Sequence, residues 1–137
     1  MIDYEQHSFA EIMRHQDEHI LSVVQFETRT ALERADELLA VPGIDVAMVG
    51  PSDLSISLGL PGQVEHPQFL DAVEKFMARC TRHGVVPGIH SRNVEDAKAW
   101  VHRGMKLIGA GSEQSLFIER SRQAVAELRA QLPGHSI

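Results

Sequence analysis

Two carboxylates that follow apolar runs are the residues of this sequence best suited to chemistry. Glu27 comes directly after residues 20–26, and Asp53 comes shortly after residues 46–49. If these runs are neighbouring parallel strands, about 4.8 Å apart, both carboxylates lie at the carboxyl ends of the strands, where α/β folds bind ligands. Carboxylate oxygens suit hard divalent cations. Taken singly, Glu27 is also typical of a helix N-terminus and Asp53 of a turn. The pair is therefore a candidate for one shared metal ion at the wall of an active site.

The strands that must position this pair are short runs rich in Val and Ile. They alternate with longer segments of helical period, which is typical of βα units around a parallel sheet. We predict four strands, at residues 20–26, 45–49, 85–89 and 106–108. Pro87 lacks a backbone N–H and counts against a central position for the third strand. The predicted fold class is α/β.

Capping residues mark the predicted helices. Thr30 and Glu33 have capping-box spacing, and Asn93 is a good N-cap for a helix that Gly104 ends. Between these lies a helix that begins at Pro67 and runs to Gly84, and residues 115–132 form the last helix. The first helix has the apolar stripe Leu32, Ala35, Leu38 and Leu39. The second has Leu70, Val73, Phe76, Met77 and Cys80, with Phe69 on the same face as Cys80. Residues 50–62 are predicted to be a turn and loop.

Composition narrows the class of protein. The chain has 137 residues and a net charge of -6, which disfavours a nucleic-acid or anionic-membrane surface. It contains no apolar stretch of signal-peptide or membrane-spanning length. Cys80 is the single cysteine, so no internal disulfide forms, and we expect a buried structural thiol in a cytoplasmic protein.

The segments around the two carboxylates resemble the HpcH/HpaI aldolase family. The resemblance rests on several motifs in order, from about residue 20 to residue 132. They are Val24-Gln25-Phe26-Glu27-Thr28, Val41-Pro42-Gly43-Ile44-Asp45, Gly50-Pro51-Ser52-Asp53-Leu54-Ser55, Gly59, His66-Pro67, Pro87-Gly88-Ile89 and Gly109-Ala110-Gly111-Ser112. This family consists of metal-dependent lyases of the pyruvate aldolase type with a (β/α)₈ TIM barrel.

The resemblance implies roles for particular residues. Glu27 and Asp53 match the family's ligands for a divalent cation, which is Mg²⁺, Mn²⁺ or Co²⁺. Gln25 and the segment Gly50, Pro51 and Ser52 match positions that hold the substrate, a 2-oxo acid such as pyruvate or oxaloacetate. Carbon–carbon cleavage beside a ketone passes through an enolate, whose oxygen a divalent cation stabilises.

The chain matches only the last four strands of the family's barrel. A complete (β/α)₈ barrel typically needs about 250 residues. The matched part lacks the family's basic histidine and an arginine, so no catalytic base is identified in this half. We predict a polar helical segment at 1–19, a half-barrel domain at 20–132 and a polar tail at 133–137.

Two functions remain open at this point. The chain is either a 2-oxo acid aldolase that needs a partner chain, or a truncated, non-catalytic binding or assembly module of the same fold. In both cases the exposed strand edges favour a homo-oligomer or a complementary half-barrel chain.

The histidines are weaker candidates. His90 follows the third predicted strand at the rim of the two carboxylates, and its side chain is suited to proton transfer. We interpret it as a polar loop residue. His15 and His19 have a spacing at which two imidazoles reach one ion, but a solvated helix face is the favoured interpretation.

Overall fold

Four parallel strands form a single sheet in the computed structural model, which describes residues 7–132. The strands are β1 (Val23–Phe26), β2 (Val46–Val49), β3 (Val86–Ser91) and β4 (Leu107–Ala110), and they lie in chain order. Each pairs in parallel with the next. The predicted α/β class and the neighbouring positions of the first two strands are confirmed.

Seven helices connect and flank the strands within residues 7–132. They are α1 (Phe9–His19), α2 (Arg29–Glu33), α3 (Ala35–Leu39), α4 (Pro51–Ser57), α5 (Pro67–His83), α6 (Val94–His102) and α7 (Glu113–Arg129). The predicted C-terminal end of α5 is confirmed, because Gly84 caps the helix in the left-handed conformation. The predicted N-cap of α6 is also confirmed, because the Asn93 side chain accepts a hydrogen bond from the Asp96 N–H.

The core lies between one face of the sheet and helices α3, α5 and α6. Phe26, Val49 and Ile89 project from β1, β2 and β3 on this face, and all three are buried. The ring of Phe26 lies 4.7 Å from that of Phe76 on α5. Of the predicted α5 stripe, Val73, Phe76, Met77 and Cys80 are buried, as is Phe69, whereas Leu70 is only partly buried.

The opposite face of the sheet is open. Gln25, Met48, Gly88 and Leu107 are paired at one level across the strands and therefore share this face. Leu107 and its neighbours are partly exposed, and β1 and β4 are the edges of the sheet within the described residues. A closed βα barrel also has its helices on one face of a parallel sheet, and four of its eight strands would form a sheet like this one.

The beginning of the first βα unit differs from the prediction. The strand begins at Val23 and not at residue 20, because Ile20 caps the end of α1 through its N–H to the Gln16 carbonyl. The capping box at Thr30 is wrong. Thr28 is the N-cap, and its hydroxyl accepts the Ala31 N–H at 3.1 Å, which places Thr30 inside the helix.

The apolar stripe of this unit is only partly buried. The structure divides the helix at Arg34 into α2 and α3, which changes the direction of the side chains that follow. Ala35 and Leu39 are buried, whereas Leu38 is exposed.

Residues 51–57, predicted as turn and loop, form the short helix α4. Pro51 takes the first helical position, where its missing N–H has no helical acceptor. Leu54 and Ser55 are its buried residues. Seven residues span two turns, which is too short for helical periodicity to stand out in the sequence.

Pro87 lies inside β3, between β2 and β4, although prolines are rare in central strands. The ladder between β3 and β4 begins one residue later, where Gly88 pairs with Leu107. Pro87 therefore precedes the paired part of β4, and its missing donor does not interrupt that ladder.

The two terminal helices contribute no buried residue. Helix α1 lies within the predicted segment 1–19, and α7 carries exposed Phe117 and Leu128. Residues 1–6 and the predicted tail at 133–137 lie outside the described residues. Within the described part of the chain, no helix is long and apolar enough to cross a membrane.

Candidate functional site

Glu27 and Asp53 line one pocket at the carboxyl rim of the sheet. Phe26 and Val49 are the last paired residues of β1 and β2, so Glu27 and Gly50 follow at the same level. The pocket has a volume of about 640 Å³ and opens on the rim. The structure thus brings together both predicted metal ligands and all four predicted substrate residues, Gln25, Gly50, Pro51 and Ser52.

The Glu27 side chain lies over Gly50. A Cβ atom added to Gly50 would lie 2.6 Å from Glu27 Oε1 and 3.0 Å from Gln25 Nε2. These distances are shorter than van der Waals contact, so glycine is required at residue 50 for Glu27 to lie where it does. This close approach is the physical reason for the glycine in the Gly-Pro-Ser-Asp segment.

Gln25 holds the Glu27 carboxylate in place. The two residues alternate along β1 and point to the same face. Gln25 Nε2 donates a hydrogen bond to Glu27 Oε1 at 2.7 Å. Such a bond orients a carboxylate and leaves its other oxygen available, which is the usual arrangement around metal ligands.

Asp53 is the third residue of α4, so its position depends on how that helix is anchored. The hydroxyl of buried Ser55 donates to the Ser52 carbonyl at 2.7 Å and accepts the Gly62 N–H at 3.0 Å. These bonds fix the first turn of α4 against the loop that borders the pocket. The sequence alone does not assign this role to Ser55, because a serine within a motif does not reveal its hydrogen-bond partners.

The donor set fits part of a divalent-cation site. Two carboxylates at a rim, one of them oriented by an amide, provide the hard oxygen atoms that such ions prefer. Among residues 7–132, no group of three or more His, Cys, Asp or Glu side chains is arranged to hold a metal ion. Glu27 and Asp53 would supply two ligands to such an ion, with the rest of its coordination left to water, substrate or another chain.

His90 is not a loop residue, contrary to the sequence interpretation. It is the fifth residue of β3 and is paired with Gly109 of β4. It lies two residues after Gly88, so it shares the open face with Gln25, and it lines the same pocket. The strand extends two residues further than predicted, to Ser91, and this extension explains the error.

The far wall of the pocket comes from the end of β3 and from α6. Ser91, Arg92, Trp100 and Arg103 line this wall. The Arg103 guanidinium carbon lies 5.6 Å from the centre of the Trp100 ring, within the range of a cation–π contact. These four residues carry no sequence motif, so the sequence alone does not predict this wall.

The remaining histidine and cysteine candidates lie away from the pocket. The rings of His15 and His19 stack at 4.0 Å on exposed α1, which confirms the solvated helix face. Burial raises the pKa of the Cys80 thiol to about 12, so the thiol is neutral at physiological pH. Cys80 is a structural residue, as predicted.

Known proteins resemble this chain along most of its length. A family model described as HpcH/HpaI aldolase/citrate lyase matches residues 3–120. The chain is 31% identical over 109 residues to a 4-hydroxy-2-oxo-heptane-1,7-dioate aldolase of Escherichia coli, and the match covers 80% of this chain and 42% of the relative. It is 30% identical over 129 residues to a hydroxypyruvate/pyruvate aldolase of Pseudomonas aeruginosa, and this match covers 94% of this chain and 48% of the relative.

The fold is also that of a solved structure. The crystal structure of an HpcH/HpaI aldolase from Desulfitobacterium hafniense superimposes with a TM-score of 0.84 at 29% identity. The match covers 98% of this chain and 52% of the other. The chain thus spans about half the length of the relatives that it matches.

Proposed function

The chain belongs to the HpcH/HpaI aldolase/citrate lyase family, and we propose that it takes part in divalent-metal-dependent aldol cleavage or formation on a 2-oxo acid of the pyruvate or oxaloacetate type. The observation that carries the proposal is the shared pocket of Glu27 and Asp53 at the ends of neighbouring parallel strands. Named relatives in this family are aldolases, which supports lyase chemistry.

Glu27 and Asp53 are proposed to hold the cation, which is Mg²⁺, Mn²⁺ or Co²⁺. When bound, the cation supplies Lewis-acid stabilisation of the negative charge that develops on the substrate's keto oxygen. Gln25 keeps the Glu27 carboxylate in position through its 2.7 Å hydrogen bond. Gly50 leaves the space that Glu27 occupies.

Pro51 and Ser52 are proposed to border the bound 2-oxo acid, together with Gln25 and Gly50. All four line the pocket beside Asp53. The Ser52 carbonyl is held by the buried Ser55 hydroxyl at 2.7 Å, so this part of the pocket is formed before a substrate binds. A preformed pocket reduces the loss of conformational entropy that accompanies substrate binding.

The proton that moves in the aldol step is proposed to be handled by residues of another chain. The sheet has one open face and two edge strands within the described residues, and α1 and α7 contribute nothing to the core. Open parallel edges and uncovered apolar faces favour association. The partner is a second copy of this chain or a complementary half barrel. A cytoplasmic location stays a prediction from the single cysteine of the sequence.

Isothermal titration tests the proposal. We expect the chain to bind Mn²⁺, and pyruvate to bind only when Mn²⁺ is present. The variants Glu27→Gln and Asp53→Asn, which keep the size of each side chain, should lose both. Glu119→Gln, on exposed α7 outside the pocket, is the matched control. Pyruvate binding that survives both pocket substitutions contradicts the proposal.

Light scattering tests the partner. We expect a mass above that of the 15.2 kDa monomer, either alone or with the missing half barrel added. The variant Leu107→Glu, which puts a charge on the open face at the edge strand β4, should lower that mass. A stable monomer that cleaves oxaloacetate on its own would refute the need for a partner.

A further inference from the structure

Arg29 joins the start of α2 to the end of α4. The Arg29 N–H donates to Ser57 Oγ at 3.0 Å, and its guanidinium Nη2 donates to the Leu58 carbonyl at 3.0 Å. Arg29 is the first residue of α2, whereas Ser57 is the last residue of α4 and Leu58 is its C-cap. One residue therefore makes two hydrogen bonds, one from its backbone and one from its side chain, to the same helix end.

These two bonds pair groups that a helix end leaves without a helical partner. The first N–H groups of an α-helix and its last carbonyls have no acceptor or donor inside the helix. A guanidinium beside the last carbonyls also interacts favourably with the negative end of the helix dipole. Helix α4 has seven residues, and a helix of this length is unstable on its own. Its position therefore depends on contacts with neighbouring segments, of which Arg29 supplies two.

Both proposed metal ligands lie close to these bonds. Glu27 directly follows β1 and precedes Arg29 by two residues. Asp53 precedes Ser57 by four residues, so the two lie about one helical turn apart on the same face of α4. Because the Ser57 hydroxyl accepts the N–H at the start of α2, Asp53 lies on the side of α4 that faces the end of β1. The bonds of Arg29 thus act on the separation of Glu27 and Asp53.

A separate hydrogen bond holds the other end of α4. Gly50, the N-cap of α4, donates its N–H to the Phe26 carbonyl at 3.2 Å. Helix α4 is therefore bonded at both ends to the segment that contains β1 and α2, and Asp53 lies between the two points. When the Arg29 side chain is removed, the end of α4 at Leu58 loses a bond, and the helix has more freedom to turn about Gly50. Such a turn moves Asp53 relative to Glu27.

We propose that Arg29 is a positioning residue that fixes the separation of Glu27 and Asp53 and so sets the affinity of the chain for the divalent cation. The inference rests on the proposed function, because it concerns the cation that these carboxylates are proposed to hold. Arg29 does not line their pocket; it lines a separate cavity of about 340 Å³ between α2 and α5. It acts through the two helix ends and not by contact with the ion. Groups that orient metal ligands typically change metal affinity about 10- to 100-fold.

The direction of the effect separates positioning from charge. The variant Arg29→Gln removes a positive charge, and by Coulomb's law alone this loss strengthens the binding of a nearby cation. The positioning role predicts the opposite, namely that Mn²⁺ binds about tenfold more weakly than to the wild type. The variant Ser57→Ala removes the acceptor of the Arg29 N–H without any change of charge, and it should also weaken Mn²⁺ binding.

Titration calorimetry and electron paramagnetic resonance of bound Mn²⁺ test this role in the full chain. The resonance spectrum depends on the arrangement of the ligands and not on the stability of the fold, so a changed spectrum in Arg29→Gln indicates displaced ligands. Arg29→Lys keeps a charged donor for the Leu58 carbonyl and should restore most of the affinity. Arg34→Gln is the matched control, since Arg34 is the C-cap of α2 and its guanidinium donates to Glu37 on α3. It should bind Mn²⁺ like the wild type.

The outcomes separate this inference from the proposed function. If Arg29→Gln is folded in urea denaturation and binds Mn²⁺ about tenfold more weakly with a changed spectrum, the inference is supported. If it is folded and binds Mn²⁺ as tightly as the wild type or more tightly, the inference is overturned and the proposed function stands. If Arg29→Gln does not fold, Ser57→Ala decides, since weaker binding supports the inference and unchanged binding overturns it. If the wild-type chain does not bind Mn²⁺, both are overturned.

Discussion

The substitution Gly50→Ala tests how the metal end is built without touching either carboxylate. The added Cβ would lie 2.6 Å from Glu27 Oε1 and 2.8 Å from Glu27 Cγ, so the Glu27 side chain must move. Gly50 has φ -91° and ψ 96°, which alanine adopts without strain. The substitution therefore acts on the side chain of Glu27 and not on the backbone.

The structure sets the size of both effects. Glu27 is half-buried and Gln25 is exposed, so both can move, and we expect the free energy of unfolding to change by less than about 1 kcal/mol. The displacement breaks the 2.7 Å hydrogen bond from Gln25 to Glu27. The loss of a group that orients a metal ligand typically weakens metal binding about 10- to 100-fold. That range corresponds to about 1.4–2.8 kcal/mol of binding free energy.

Titration calorimetry with Mn²⁺ measures the binding, and urea denaturation measures the stability. Gly109→Ala is the control at the same rim, because its Cβ meets His90 and not Glu27. It should leave Mn²⁺ affinity unchanged. If Gly50→Ala is stable and binds Mn²⁺ as well as the wild type, the Glu27 position does not matter for the metal, and the reasoning is refuted.

Three further predictions concern the scaffold. Cys80 has a pKa raised to about 12 by burial, so iodoacetamide at pH 8 should not modify it in the folded chain but should do so in denaturant; rapid labelling of the native protein would contradict this. The pKa of Asp36 is held below its usual value by its hydrogen bond with His83 and by nearby arginines. The ionised Asp36 carboxylate therefore contributes to stability above pH 3.8, and this contribution is lost as the pH falls through the lower pKa of the folded state. The variant Asp36→Asn should therefore show a smaller decrease of Tm at acid pH than the wild type. An equal decrease of Tm in both proteins argues against the effect. Phe76→Ala removes a ring that is 1% exposed and should cost about 3–5 kcal/mol in urea denaturation; a loss below about 1 kcal/mol would mean that the core is packed differently.

The periodic elements of the fold were predictable because burial imposes a pattern on the sequence. Helix α5 has an apolar residue on one face at each turn, and Pro67 and Gly84 mark its ends. Helix α4 was not predicted, since two turns give too few repeats and its buried Ser55 is polar. The Thr28 cap was misassigned because Thr28 and Thr30 are both suitable caps, and only the end of β1 determines which one is used.

The candidate site was predictable where it lies within one continuous segment. Gln25 and Glu27 alternate on one strand, so a shared face follows from the period of two residues. The position of Glu27 over Gly50 did not follow, because it depends on the pairing of β1 with β2. The wall with Ser91 and Trp100 was missed for the same reason, as its residues come together only through the packing of α6 beside β3.

The sequence by itself determined the α/β class and the family, and it singled out two candidate carboxylates, since each of these depends on residue order and on local periodicity. The tertiary structure decided which side chains meet. Glu27 and Asp53 share a pocket, His90 lies on the same face over Gly109, and Ser91 is buried in the opposite wall. These contacts depend on strand register and helix packing, which bring distant segments within a few ångströms of each other and leave no local pattern in the chain.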